Sequence, residues 1–260
     1  LATAKWMVSQ GAGHLVLIGR SQPSEEVIQE LDEIRDNGAQ ILVGQVDVSS
    51  TSQVRSLFEE IENEMPALSG IIHAAGLLDD DSLLNLDIDR LHNVMAPKVD
   101  GTWNLHNEST QLSLDFFVLY SSAVSVLGSP GQGNYTAANF YLDTMANYRQ
   151  NLGLPAISIN WGPWAEIGLA AERTEQLEEQ NASTEHLVKT IKVDQGLEML
   201  EFLMHESLSQ VAVLPFDLKD LLELYPFAAN MPFFKEVGMK DRGVARLYAR
   251  PNLQQKYVAP

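Results

Sequence analysis

Short apolar runs alternate with segments of helical periodicity along most of this chain. The runs are HLVLIGR (14–20), ILVGQVDV (41–48), GIIHAAG (70–76), LDFFVLYSS (114–122), AISINWG (156–162) and QVAVLPF (210–216). Brief, nearly continuous apolar stretches of this kind suit strands buried on both faces of a sheet. Between them, EEVIQELDEIRDNG, SQVRSLFEEIENEM, residues 87–110 and YTAANFYLDTMANYRQ space their apolar residues at helical intervals. Strand and helix in turn imply right-handed crossovers and a parallel sheet covered on both faces. The predicted fold class is therefore α/β, a Rossmann-like doubly wound parallel sheet.

Composition changes this picture little. At 260 residues with 45% hydrophobic content, one large domain with a sizeable core is expected. Seventeen basic residues against 35 acidic ones give a formal net charge of -18, which disfavours a nucleic-acid or anionic-membrane surface. With no cysteine, disulfides, thiolate catalysis and cysteine-based metal sites are excluded. No apolar run approaches the ~20 residues of a membrane span and no signal pattern opens the chain, so a cytoplasmic protein is expected. Residues 165–195 are polar and acid-rich without a strand pattern, and the text beyond 238 reads as a tail or linker.

Candidate chemistry concentrates in residues 117–139, FVLYSSAVSVLGSPGQGNYTAAN. An apolar strand delivers Ser121 and Ser122 to its end, GSPGQGN reads as a loop, and the following helix presents Tyr135 and Asn139 on one face. A phenol, with an ordinary pKa of about 10, protonates a ketone efficiently only if a neighbour stabilises the phenolate. Lys98 in MAPKVDG, on an earlier helix, is the candidate neighbour. Burial beside the phenol is expected to lower both pKa values, Tyr135 through opposite charge and Lys98 through desolvation. Ser122 would hold the substrate carbonyl against the phenol.

The match then extends beyond this stretch. HAAGLLDD (73–80), MAPKVDGTWNL (95–105), LYSSAVSVLGSPGQGNYTAANFYLD (119–143) and INWGPW (159–164) together resemble the catalytic half of a ketoreductase domain from a modular type I polyketide synthase, in the short-chain dehydrogenase/reductase superfamily. Ordinary members of that superfamily carry Tyr-x-x-x-Lys. Here Asn139 stands four residues after Tyr135 and the lysine is upstream at Lys98, the exchange found in polyketide ketoreductases.

The resemblance implies a set of roles. Lys98, Ser122, Tyr135 and Asn139 would be the catalytic residues. Arg20 and Ser21 after the first apolar run, Asp47 and Val48, and Ala74, Ala75 and Gly76 would bind NADPH, with Arg20 pairing with the 2′-phosphate. Leu78, Asp79 and Asp80 resemble the B-type Leu-Asp-Asp motif, and Leu127, Pro130 and Asn134 fit the B-type pattern, which implies a D-configured β-hydroxyl product. Ala138, where epimerising B-type members have proline, implies no epimerisation. The substrate would be a β-ketoacyl thioester carried by the phosphopantetheine arm of an acyl carrier protein, beside the other domains of a synthase module.

Resemblance also implies a domain plan: a catalytic domain over 1–237 with a lid at 165–195, and a linker at 238–260 leading towards a carrier protein. LATAKWMVSQGAG resembles the helix that follows the first strand and glycine-rich loop of the family, and neither is found before it. An N-terminally truncated sheet is therefore expected, with a gap between the neighbours of the missing strand and no diphosphate cradle. Two other readings remain: a free-standing short-chain dehydrogenase or fatty-acid β-ketoacyl reductase, and a noncatalytic ketoreductase remnant with a scaffold role.

Other polar groups have simpler readings. His73, beside an apolar strand, is expected to be a hydrogen-bonded structural residue. Trp161 and Trp164 read as core or loop anchors. Asp79, Asp80 and Asp81, as consecutive acids on a loop, are expected to point in different directions and to hold no metal.

Overall fold

The computed structural model describes residues 1–165, 167–168 and 189–215. The expected lid therefore lies largely, and the expected tail wholly, outside the described residues. The secondary structure belongs to one compact unit, Leu1–Ser183 with Thr190–Leu214; a second unit, Thr184–Lys189 with Pro215–Pro260, is described only at Lys189 and Pro215.

The elements follow the alternation of the sequence. They are α1 (Ala2–Ser9), β1 (His14–Gly19), α2 (Glu25–Asp36), β2 (Gln40–Gln45), α3 (Thr51–Glu64), β3 (Gly70–His73), α4 (Ile88–Ser109), β4 (Phe116–Ser122), α5 (Val124–Leu127), α6 (Gly133–Asn151), β5 (Ile157–Trp161), α7 (Val193–Met204) and β6 (Gln210–Val213). Local chemistry sets several boundaries. Ser24 caps α2 by accepting a hydrogen bond from the Val27 N–H at 3.3 Å. Asp87 caps α4 by accepting from the Arg90 N–H at 2.9 Å. These caps satisfy N–H groups that the first helical turn leaves without partners.

All strand pairings are parallel, but they form two sheets: β1 with β2, and β3-β4-β5-β6. The four-stranded sheet has the burial expected of an α/β core. Phe117, Val118 and Leu119 of β4 are fully buried, and every residue of β5 is buried. Helices α4 and α6 cover one face, where Leu105, Leu142, Met145 and Ala146 pack on Phe117 and Leu119. Helix α7 covers the other, with Leu200 and Leu203 against Val118 and Ile159. Arg149 of α6, also buried, lies 3.8 Å from the centre of the Phe117 ring and donates to the Pro155 carbonyl at 3.1 Å.

The two-stranded sheet is less enclosed. Only Leu15 in β1 and Ile41 in β2 are buried. Among the described residues no strand lies between β1 and β3. A cavity of about 930 Å³ stands there, lined by every residue of both strands. This is the gap and thin cover expected from the sequence, and its cause is geometric. Among the described residues, one edge of β1 and one edge of β3 have no neighbour to share their backbone hydrogen bonds.

Candidate active site

The carboxyl ends of the strands carry the site, as in other open parallel sheets. Alternation along β4 sorts its two terminal serines, since successive side chains point to opposite faces. Ser121 is buried and its hydroxyl donates to the Asn139 carbonyl at 3.2 Å. Ser122 is less enclosed, and its Oγ accepts from the Val124 N–H at 3.4 Å. The chain continues through α5 and a turn in which Gly128 (φ 72°) and Gly131 (φ 77°) adopt left-handed backbone. Helix α6 then begins and sets Tyr135 one turn before Asn139.

Helix α4 brings the lysine. Lys98 is 3% exposed, its Nζ donates to the Tyr120 carbonyl at 3.0 Å, and the same atom lies 5.8 Å from the centre of the Tyr135 ring. Close packing places this helix: a Cβ on Gly101 would meet Val48 Cγ2 at 2.7 Å. The side chains of Ser122 and Asn139 both reach the Tyr135 phenol. Asn139 is fully buried, donates from Nδ2 to the Tyr135 carbonyl at 2.8 Å, and leaves its Oδ1 without a partner among the described residues. The structure thus brings Lys98, Ser122, Tyr135 and Asn139 together.

Electrostatics agree with expectation for the lysine and not for the tyrosine. Burial lowers the Lys98 pKa to about 8, while the charge of Asp143 acts in the opposite direction. Tyr135 is raised rather than lowered. Burial dominates, contacts from Asn139 and Ser122 pull it back, and the charge of Asp80 adds to the rise. The ammonium faces the Tyr120 carbonyl and the phenol ring, and does not sit at the phenol oxygen. His73 is structural, as its sequence context suggests: its Nε2 donates to the Pro97 carbonyl at 3.0 Å. Burial, with the Lys98 charge adding to it, lowers its pKa to about 3.

The residues expected to bind the cofactor also converge. Arg20, Ser21, Asp47, Val48, Ala74, Ala75 and Gly76 all line the cavity between β1 and β3. Asp47 Oδ1 accepts from the Ser49 hydroxyl at 2.7 Å and from the Ser49 N–H at 2.9 Å. These bonds, with a contribution from the Arg20 charge, hold its carboxyl below the usual range against the effect of burial. The Val48 carbonyl accepts from Asn104 Nδ2 at 2.9 Å. The cavity is within the volume range of small-molecule sites, and the guanidinium at the end of β1 suits an adenosine 2′-phosphate. The residues present fit the adenosine end of NADPH. No glycine-rich diphosphate cradle stands among the described residues.

A third cluster flanks the phenol. Asn134 Nδ2 donates to the Asp79 carbonyl at 2.8 Å, Gln132 Nε2 to Asp80 Oδ2 at 3.0 Å, and the Asp81 N–H to the Gly131 carbonyl at 2.9 Å. Leu78–Asp81 is thereby tied to the loop that contains Pro130 and leads into α6. The acids do not all diverge as expected. Asp79 and Asp81 both bond Arg90, which also donates to the Asp80 carbonyl at 3.2 Å. Residues two apart in an extended segment share a side, which is why one guanidinium reaches both. Arg90 holds both carboxyls below the usual range, and they in turn raise its own pKa. Leu127, at the end of α5, is half-buried.

Sequence reasoning missed Arg90, Gln132, Asn104 and the bonded group of Ser125 with the buried Asp143, Ser158 and Asn160. Helical spacing could have exposed one of them, because Asp143 follows Asn139 by one turn.

Comparison with known proteins supplies the family context. The sequence model of the "KR domain" family matches residues 1–166. A phenolphthiocerol/phthiocerol polyketide synthase of Mycobacterium tuberculosis is 33% identical over 90% of this chain. The matched stretch spans 10% of that relative. Another M. tuberculosis relative is 43% identical over 61% of this chain and 10% of its own length. It is a phenolphthiocerol synthesis polyketide synthase, Pks1, that bears the word "inactive" in its name. Among solved structures, an A1-type ketoreductase superimposes with a TM-score of 0.76 at 30% identity, covering 85% of this chain and 46% of its own.

Proposed function

The chain belongs to the ketoreductase domain family of polyketide synthases, within the short-chain dehydrogenase/reductase superfamily, and from that premise we propose a specific reaction. It is the NADPH-dependent reduction of a β-ketoacyl thioester on an acyl carrier protein to the D-β-hydroxyacyl thioester. The observation that carries this reading is the meeting of Lys98, Ser122, Tyr135 and Asn139 around one phenol.

When bound, NADPH supplies the hydride. Arg20 would hold its 2′-phosphate, Asp47 and Val48 its adenine end, and Ala74, Ala75 and Gly76 the ribose side. Ser122 donates a hydrogen bond from its hydroxyl to the ketone oxygen, keeping its own proton, and fixes the carbonyl near the phenol. Tyr135 Oη gives its proton to that oxygen as the β-carbon is reduced, which completes the alcohol. The raised pKa of Tyr135 keeps the phenol protonated before reaction. The Lys98 ammonium then stabilises the phenolate, and a water held at Asn139 returns its proton. Leu78, Asp79 and Asp80, a segment bonded by Arg90 and Asn134, would form one wall of the substrate cleft with Leu127 and Pro130. That wall would admit the phosphopantetheine arm from one side and set the D configuration.

Tyr135→Phe, assayed with a diketide thioester and NADPH, tests the reading. Loss of activity by at least ~100-fold is expected from removal of the proton donor; undiminished NADPH oxidation refutes it. Chiral analysis of the product tests the D configuration separately. A noncatalytic scaffold is the second reading, favoured by the open gap between β1 and β3. NADPH binding measured before and after adding a glycine-rich strand-loop unit at the N-terminus separates the two, because restored binding supports the enzyme.

A further inference from the structure

One buried carboxylate on α6 has no part in the scheme above. Asp143 lies on the face of α6 that carries Tyr135 and Asn139, one turn beyond Asn139, and is 2% exposed. Among the described residues it makes no ion pair. Its oxygens accept instead from neutral groups: Ser158 Oγ to Oδ1 at 2.6 Å, Ser125 Oγ to Oδ2 at 2.7 Å, and Asn160 Nδ2 to Oδ1 and Oδ2 at 2.8 and 3.0 Å.

This network reaches the reacting groups. Asn160 Nδ2 is also 3.0 Å from Ser121 Oγ and 2.7 Å from Ser125 Oγ, so several acceptors compete for its two protons. The carboxylate is the one charged acceptor among them and takes the stronger bonds. Ser125 Oγ stands 2.9 Å from the Ser122 carbonyl, and Ser121 Oγ bonds the Asn139 carbonyl. The end of β4, α5, β5 and α6 are therefore knotted around one carboxylate.

Lys98 presents the complementary problem. Its ammonium is as deeply buried and bonds a neutral carbonyl, and an uncompensated buried charge costs several kcal/mol. The titratable groups around it are Tyr120 from β4, whose carbonyl it bonds, Tyr135 from α6 and His73 from β3, and the charge of Asp143 from α6 acts on it without a direct ion pair. His73 is neutral because burial lowers its pKa to about 3, and burial pushes Tyr120 up to about 12. Asp143 is the anion of the set.

We propose that Asp143 is a positioning residue for the reduction: it fixes the Ser121–Ser125 turn and supplies a buried negative charge that offsets part of the desolvation of the Lys98 ammonium. This rests on the roles given above to Lys98 and Ser122. The pull of Asp143 on Lys98 against desolvation agrees with it.

Magnetic resonance titration of the wild-type protein around pH 8, following the Lys98 ammonium nitrogen and the Asp143 carboxyl carbon, tests the proposal. The Asp143 signal should inflect at the Lys98 midpoint. In Asp143→Asn that midpoint should fall by roughly one pH unit, and the alkaline limb of kcat should move to lower pH with it. Ser158→Ala, which removes a donor but no charge, should leave the midpoint in place. An Asp143 signal indifferent to Lys98, or an unmoved midpoint in Asp143→Asn, overturns the proposal. The wild-type measurement needs no variant, so misfolding of Asp143→Asn does not shelter it. Nor does it need turnover: absent coupling in an active reductase removes only this assignment, whereas coupling in an inactive protein counts against the reductase reading.

Discussion

The two sheets of this protein are built from similar strands and are in very different conditions. Strands β4 and β5 have neighbours on both edges and helices on both faces, and β4 ends at Ser122. Strands β1 and β2 share one ladder, and the far edge of β1 opens onto a 930 Å³ cavity. The groups assigned to proton transfer thus stand in a closed core, while those assigned to the cofactor line an open slot. The first set is held in place because Lys98, Ser122, Tyr135 and Asn139 come from three packed elements of the same core, α4, β4 and α6. The other half holds Arg20, Ser21, Asp47 and Val48 at the ends of a two-stranded sheet, an arrangement that is marginal by itself.

Hydrogen exchange gives the largest expected difference between these halves. Alternate N–H groups of a parallel strand point to opposite edges, so half the amides of β1 and β3 face the cavity. Those amides should exchange at least ~1,000-fold faster than the amides of β4 and β5, which open only with the core. Equal protection along β1, β3, β4 and β5 would show that the slot is closed in solution.

The closed half carries a cost that can be measured. Lys98 has a pKa of about 8 when folded and an ordinary value of 10.5. Below pH 8 both states hold the proton, so the full burial penalty applies, on the order of 3 kcal/mol from the 2.5-unit difference. Between pH 8 and 10.5 the unfolded chain binds a proton that the folded protein lacks, and stability rises with pH. Lys98→Met should therefore be more stable by about 2 kcal/mol at neutral pH, once about 1 kcal/mol is allowed for the lost bond to Tyr120. The same variant should lose reduction. Denaturant unfolding at several pH values checks both parts, since the variant should lack the alkaline rise. A destabilised Lys98→Met would mean that the buried ammonium is not a burden on the fold.

Much of this contrast was legible in the sequence. A strand buried on both faces needs a continuous apolar run, and all six such runs became strands with ends trimmed by a few residues. The four-residue α5 left no periodicity to read, and α6 begins at Gly133, two residues before the expected start, a normal ambiguity at helix ends. Lys98, Ser122, Tyr135 and Asn139 were legible because spacing and family resemblance coincide on them. The direction of the Tyr135 shift was not, because it depends on how much water the surrounding helices exclude. Arg90 was hidden by its distance along the chain from Asp79 and Asp81, and Asn160 by a strand in which polar and apolar residues are equally buried.

Arg20 offers the smallest effect and the closest view of the open half. It is exposed at the end of β1, where solvent and salt weaken a charge pair, and it contributes a guanidinium without a packed pocket around it. If it contacts the 2′-phosphate, Arg20→Ala should weaken binding of adenosine 2′-monophosphate by roughly tenfold, about 1.4 kcal/mol. Adenosine binding should be unchanged. The mononucleotide is the informative probe because it contains no diphosphate and therefore does not require the cradle that the described residues lack. Calorimetry at low and high salt completes the test, since a phosphate contact at this rim should fade as ionic strength rises. An equal loss for both ligands would place the guanidinium elsewhere and leave the NADPH preference without its residue.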